Sequence, residues 1–333
     1  MDMIKQLEKK LKWKQRKVIF VECLDNRILE ACRYLVDNEI CKPILLGKPE
    51  EIIENADNLK IDIEGISVFN SENMELREYY AKQYNNMNPD FSERRLIKKM
   101  NHPLFYAAIL VKVEYADCLA AGVLYSTGDV ILAAQQFIGI QNHINTISSI
   151  GYQMIELGDE RCIGVSDCAV STNPTAEELA DIAITSAQSY QNAIGQTAKV
   201  AMISYSTQGS GEGESVDKVR QSIEIAHQKV PDLLIEGEYQ IDSALLPDIA
   251  ARKVKGNHQV AGQANVLIFP NLDAGNIAVK CMQIFGRKQA FGPILQGFQR
   301  PVTDFSRAAK TKDVIGNIIL CMLQGEEYED IGD

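Results

Sequence analysis

Residues Thr303-Asp304-Phe305-Ser306-Arg307, with Asp313 shortly beyond, place hydroxyls, a guanidinium and carboxylates between apolar segments. Arginine presents a planar fork of donors that suits phosphate or carboxylate. The glycines on either side of this cluster permit tight turns or close approach by a ligand. The plainer alternative is that Asp304 and Arg307 only cap and pair locally. A second cluster is Ser126-Thr127-Gly128-Asp129, where two hydroxyls and a glycine can present donors to an oxyanion, or where Ser126 or Thr127 simply caps a helix. A third is Ser206-Thr207-Gln208-Gly209-Ser210-Gly211-Glu212-Gly213, a hydroxyl-rich loop that follows a hydrophobic strand. Ligands of open α/β sheets bind beyond the carboxyl ends of the strands, so Ser206 and Thr207 are candidate anion contacts.

The elements that must hold these residues alternate. Val18–Val21 reads as a strand, Asn26–Asn38 as a helix, Pro43–Gly47 as a strand, and Lys48-Pro49-Glu50-Glu51 as the next helix start. That rhythm predicts βαβ units and a parallel sheet. Residues 71–101 are polar and helical in pattern, broken near Asn88-Pro89, and Gly151–Val170 alternates as an edge or hairpin of a mixed sheet would. Thr175 and Glu178 stand at capping-box spacing ahead of a helix running to about Gln196. Val200–Tyr205, Leu233–Ile235 and Val266–Phe269 read as strands, Val216–Lys229 and Ile277–Phe285 as helices. The last helix covers Val314–Leu323 and starts with Thr311 as its N-cap, which puts Asp313 in the first turn; Glu326–Asp333 is a frayed acidic end.

Composition narrows the function. The chain has 333 residues, enough for two domains, with 46% hydrophobic and 24% charged residues, an ordinary globular balance. A formal charge of -11 argues against nucleic acid held by backbone electrostatics, while leaving room for an anionic small substrate in a local arginine pocket. The apolar runs are too short or interrupted for a spanning helix, so no membrane partner is expected. The 8 cysteines are scattered and include no CxxC pair, which predicts reduced core thiols and a cytoplasmic protein. The first residues, MDMIKQLEKKLKWKQRK, read as a short amphipathic helix rather than a signal peptide. No GxGxxG follows the first strand and no GxxxxGKS/T occurs. The 4 histidines, His102, His143, His227 and His258, form neither a metal cluster nor a Ser-His-Asp motif.

Several long segments, in order, carry a resemblance: KPILLGKPEEI at 42–52, STNPTAEELADIA at 171–183, SYSTQGSGEG at 204–213, GEYQIDSAL at 237–245, VAGQANVLIFPNLDAGNIAVK at 260–280 and GPILQGFQRPVTDFSR at 292–307. Over nearly the whole chain they resemble the phosphate acetyltransferases and their phosphate butyryltransferase relatives. The resemblance implies two α/β domains with a cleft between them, an architecture similar to isocitrate and isopropylmalate dehydrogenases. The first would span 1–146 plus 290–333, completed by the C-terminal segment, and the second 147–289. It also implies a homodimer that interconverts acetyl-CoA and phosphate with CoA and acetyl phosphate. CoA is then a substrate, with no permanently bound cofactor, no metal and no covalent acyl-enzyme. The family's catalytic serine, arginine and aspartate fall on Ser306, Arg307 and Asp313. A CoA thiol is mostly protonated at neutral pH, so Asp313 would take or orient its proton, Arg307 would bind phosphoryl oxygens, and Ser306 would donate to the reacting group. Amide dipoles of a first turn favour a carboxylate's charged form, which suits Asp313 to orienting the thiol or accepting its proton late.

The departures from the family pattern are specific. Many relatives carry an arginine after the STxD turn, where this chain has an aliphatic residue, Leu132. A second CoA-contacting arginine is expected near 85–88, where the chain reads Asn85-Asn86-Met87-Asn88, with Arg94 and Arg95 further on. Thr303, Phe305 and Ala308 replace the usual asparagine, leucine and glycine. Leu132 would alternatively line a pocket for a longer acyl group, which gives butyryl or branched-chain transfer as the neighbouring reading. A catalytically weak or inactive CoA-binding scaffold is the non-enzymatic one. A metal- and nicotinamide-dependent dehydrogenase would need convergent aspartates and a cofactor loop that the sequence does not display.

Overall fold

A computed structural model describes residues 3–12 and 14–325. In chain order its strands are β1 Lys17–Phe20, β2 Lys42–Gly47, β3 Ser67–Asn70, β4 Cys118–Ala121, β5 Ser148–Leu157, β6 Asp159–Ser166, β7 Val200–Ile203, β8 Ile235–Tyr239, β9 Val266–Ile268, β10 Ala290–Gln296 and β11 Val302–Asp304. Its helices begin with α1 Met3–Leu11, α2 Asn26–Asp37, α3 Pro49–Leu59, α4 Met74–Met87, α5 Glu93–Lys99, α6 Pro103–Lys112 and α7 Thr127–Phe137. They continue with α8 Ala176–Ile194, α9 Glu214–Lys229, α10 Ile241–Leu245, α11 Pro247–Lys253, α12 Leu272–Gly286 and α13 Thr311–Gln324. This is a mixed α/β fold, and the chain divides into two compact units: residues up to Gly139 together with those from Phe298 onward, and Ile140–Gly297.

In the first unit the strands run β3-β2-β1-β4-β11, every neighbouring pair parallel. The inner strands KVIF and CLAA are almost wholly buried, as strands covered by helices on both faces must be. Two helices are apolar nearly all round: α6 buries Leu104 and Tyr106 through Val111, and α13 buries every residue from Val314 to Gln324. The chain lays down β1, β2 and β3 in one direction, then returns to β4 and β11 on the other side of β1. The boundary between β1 and β4 is therefore the topological switch point, where α/β sheets leave a crevice at the strand carboxyl ends.

The second unit orders its strands β10-β5-β6-β9-β7-β8. β5 and β6 form an antiparallel hairpin, β10 joins β5 antiparallel, and β6, β9, β7 and β8 are parallel neighbours. The hairpin predicted over 151–170 is present, but it lies inside this order, between β10 and β9, and not at an edge. Residues 140–146 and 290–297, assigned with the first domain on resemblance, lie in the second unit. The physical reason is the ladder that pairs Ala290–Gln296 with Gln153–Ser148. Residues 71–101 form two helices, α4 and α5, broken at Asn88–Ser92. The acidic end Glu326–Asp333 lies outside the described residues.

Candidate active site

Three adjacent parallel strands of the first unit, β1, β4 and β11, end together, and their next residues carry the chemistry. After β1 comes Glu22, which is buried. Its carboxylate accepts from four consecutive backbone amides beyond β4: Gly122 at 3.0 and 3.2 Å, Val123 at 3.1 Å, Leu124 at 2.6 Å and Tyr125 at 2.9 Å. Converging amides of this kind make an anion-binding nest. Here the protein's own carboxylate fills it. Gly122 is obligatory at this junction: its φ is +119°, and a Cβ would stand 2.3 Å from both Asp304 Oδ1 and Phe305 N.

Asp304 closes β11 and is 3% exposed. Its Oδ2 accepts from the Thr127 hydroxyl at 2.5 Å, while its Oδ1 has no hydrogen-bond partner among the described residues. Burial pushes this carboxyl up to about 6; the Thr127 hydroxyl and the Arg307 charge offset only part of that rise, and Glu22 adds to it. The chain then emerges. Phe305 is buried, Ser306, Arg307 and Ala308 are exposed, and Ala309 is buried again. The Ser306 hydroxyl accepts from Ala308 N at 3.3 Å, and the Ser306 carbonyl accepts from Ala309 N at 2.8 Å. The Arg307 guanidinium makes no hydrogen bond or ion pair with another described residue, although Asp304 and Asp129 feel its charge.

Helix α13 follows at once. Its N-cap is Lys310 and not Thr311, because the Asp313 carboxylate accepts from Lys310 N at 2.9 Å and so satisfies an amide of the first turn. The Thr311 hydroxyl is turned instead to Glu30 Oε2 at 2.6 Å. Asp313 is half-buried, on the turn that succeeds the Ser306–Arg307 loop.

At the start of α7, Ser126 is the N-cap in a reciprocal capping box: its hydroxyl accepts from Asp129 N, and Asp129 Oδ2 accepts from Ser126 N and from the Ser126 hydroxyl at 2.6 Å. That hydroxyl holds Asp129 below the usual carboxylate range. The hydroxyl protons of Ser126 and Thr127 are thus both engaged within the protein, and Thr127 ties α7 to the end of β11.

In the second unit, Ser206 and Thr207 are buried. The Ser206 hydroxyl donates to Glu238 Oε1 at 2.7 Å, Thr207 Oγ1 accepts from Gln240 N at 2.9 Å, and Gly209 N donates to Glu238 Oε1 at 2.9 Å. Burial opposes the charge of Glu238, but the Arg220 fork, the Gly209 amide and the Ser206 hydroxyl together hold it down to about 2. This loop is therefore a closed hydrogen-bonded network. A further carboxylate, Asp167 beyond β6, accepts from Ser149 Oγ at 2.5 Å and from the amides of Ala169 and Ser171.

The family model described as Phosphate acetyl/butaryl transferase matches residues 2–322. The phosphate acetyltransferase of Clostridium acetobutylicum is 34% identical over 331 residues, covering 98% of this chain and 99% of that protein. The chain belongs to this family. Its fold agrees with a phosphotransacetylase of Staphylococcus aureus named EutD at a TM-score of 0.89, with 33% identity over 97% of this chain and 98% of that one. A branched-chain phosphotransacylase from Enterococcus faecalis shares the fold at a TM-score of 0.69 and 16% identity over 94% and 99% of the two chains.

Within this family frame, Ser306, Arg307, Asp313, Ser126 and Thr127 all lie in the first unit; Thr127 bonds Asp304, which belongs to the leading sequence cluster, and Arg307 acts on it by charge. Leu132 is 54% exposed on α7, and Leu124, in the turn that precedes this helix, is 63% exposed. Arg94 and Arg95 are exposed on α5, with Arg95 stacked over the Phe91 ring at 5.4 Å. Sequence reasoning missed Glu22 and Arg27. Arg27 had a signal: a cation in the first turn of α2 opposes the helix dipole, so it must answer to partners elsewhere.

Proposed function

We propose that the protein is a phosphate acetyltransferase that interconverts acetyl-CoA and phosphate with CoA and acetyl phosphate, and that the reacting atoms meet at the Ser306–Arg307 loop. In the direction of thioester synthesis, the CoA sulfur attacks the acyl carbon of acetyl phosphate. The C–S bond forms, the C–O bond to phosphorus breaks, and phosphate leaves with the electron pair. Arg307 neutralises the phosphoryl oxygens on both sides of the reaction. Ser306 donates to the reacting group. Asp313 orients the thiol and accepts its proton as the sulfur commits. Holding both substrates in register supplies the remaining acceleration.

The single observation that carries this reading is the exposed, uncommitted Arg307 guanidinium at the carboxyl end of β11, next to the switch point. Ser126 and Thr127 act in this scheme as the builders of the phosphate-facing wall, since their hydroxyl protons are used internally. Ser206 and Thr207 set the shape of the second unit's strand-end loop.

Other parts of the reading rest on separate features. Two α/β units, the first completed by the C-terminal segment through β11 and α13, support an isocitrate/isopropylmalate dehydrogenase-like architecture. Homodimer formation is supported by an apolar face on α12, where Ile277 is 61%, Ile284 65% and Phe285 78% exposed. A cytoplasmic location is supported by 8 free thiols, including Cys118 and Cys321 with sulfurs 3.5 Å apart in the core. Among the described residues no helix is long and apolar enough to cross a membrane, and no group of His, Cys, Asp or Glu is placed to hold a metal ion.

Longer acyl groups form the second reading, favoured by exposed Leu124 and Leu132. Thioester formation from acetyl, propionyl, butyryl and isobutyryl phosphates separates the two. Acetyl phosphate is expected to give the highest kcat/KM; a preference for butyryl or isobutyryl phosphate would move the protein to the second reading. Folded protein that binds CoA and turns over none of them would be a scaffold.

A further inference from the structure

We infer that Arg27 is a positioning residue for the Ser306–Arg307 loop, a role that rests on the transferase reading above. Arg27 stands in the first turn of α2, just after β1, and its fork reaches three segments at once. Nε and Nη2 donate to the two oxygens of Asp25 at 2.9 and 2.7 Å, which fixes the plane of the guanidinium. Nη1 then donates to two backbone carbonyls of the active loop, Arg307 O at 2.8 Å and Ala309 O at 2.9 Å. Nη2 also reaches Val123 O at 3.5 Å, in the turn whose amides hold Glu22.

The loop needs this clamp. Ser306, Arg307 and Ala308 are exposed and bury no side chain, so packing does not define their conformation. Their internal bonds are short-range, from Ala308 and Ala309 back to Ser306. Thr311 to Glu30 and Asp313 to Lys310 tie only the helix beyond. Arg27 is the described side chain that anchors the backbone of residue 307 from another element. Losing it frees two carbonyls and lets the Arg307 side chain sample positions that miss the phosphoryl group. A lysine cannot replace it, because an ammonium offers no planar fork to span Asp25 and both carbonyls.

The test compares wild type with Arg27→Ala, Arg27→Lys, Arg307→Ala and the Arg27→Ala/Arg307→Ala double variant. Thioester formation from acetyl phosphate and CoA is followed alongside hydrogen–deuterium exchange of the segment 305–310. Both Arg27 variants are expected to lose about 10²-fold in kcat, the order of a misplacement of about 1 Å, with KM for acetyl phosphate changed far less. Guanidinium ion added to Arg27→Ala restores part of the rate. The double variant falls well short of the product of the single losses, since Arg27 acts through Arg307. Exchange rises in 305–310 and not across β1, β4 and α6. Wild-type kcat in Arg27→Ala beside an inactive Arg307→Ala, or fully multiplicative losses, overturns the inference. If wild type itself forms no thioester, the transferase reading fails. The exchange arm then still decides the clamp: unchanged exchange at 305–310 overturns it. Should Arg27→Ala not fold, Arg27→Lys carries the same comparison.

Discussion

Glu22 and Asp304 are carboxylates buried at the same end of the first unit, and their surroundings set them apart. Glu22 collects four backbone amides. Asp304 has one hydroxyl donor and an unpartnered oxygen, and its carboxyl is pushed up to about 6, by burial first. An unfolded aspartate titrates near 3.9, so between about pH 4 and 6 the folded chain holds the extra proton. Stability from this group is complete below pH 4, falls as pH rises through 6, and stays lost above it. Asp304→Asn is therefore expected to stabilise the protein at pH 8 relative to pH 4.5, by about 2 kcal/mol between the two. Urea unfolding at both pH values reads this, and an effect independent of pH would contradict it. At this scale the cluster of Ser306, Arg307 and Asp313 stands out in the sequence by residue type, while the separate role of each comes from the family resemblance. Glu22 leaves no local pattern, since its partners begin 100 residues away, and the first-turn cation Arg27 marks a helix start without naming the loop 280 residues on that it holds.

The elements followed the sequence where local chemistry decides. Thr175 and Glu178 form the predicted capping box of α8, and the strand-helix rhythm of residues 18–60 became β1, α2, β2 and α3. Two features needed tertiary information. The start of α13 lies one residue earlier than predicted, because the Asp313 side chain takes the Lys310 amide and leaves Thr311 free to bond Glu30. The limits of the second unit depended on a ladder between Ala290–Gln296 and a strand more than a hundred residues earlier, which no periodicity announces. The junction of β4 with the end of β11 carries its own prediction. Gly122→Ala would drive a Cβ to 2.3 Å from Asp304 Oδ1 and the Phe305 amide, at a φ of +119° that L side chains rarely adopt. A loss of about 3 kcal/mol or more in unfolding free energy is expected, in the upper range for single substitutions. A Gly122→Ala protein as stable as wild type would mean the β4–β11 junction is looser than described.

For the whole molecule, the acidic charge of -11 keeps nucleic acid out of the account and leaves catalysis to a local cation on an acidic protein. The exposed Ile277, Ile284 and Phe285 of α12 predict self-association. Sedimentation of wild type at micromolar concentration is expected to give a dimer, and I284E/F285E a monomer. A wild-type monomer would contradict the assignment of that face. The family is shown by sequence and fold together, and this chain carries Asn85-Asn86-Met87-Asn88 and Leu132 where the family resemblance implies CoA-binding arginines. Each such contact contributes about 1.5–3 kcal/mol, so a raised KM for CoA is consistent with the account and a lost kcat is not.

The most direct measurement is the rate of CoA-dependent thioester formation from acetyl phosphate by the purified protein, beside Arg307→Ala. Acetyl transfer assisted by the exposed Arg307 guanidinium predicts a robust wild-type rate, and a fall of about 10²–10³-fold in kcat in the variant. No turnover by folded wild type at high CoA, or an equal rate in Arg307→Ala, would contradict it.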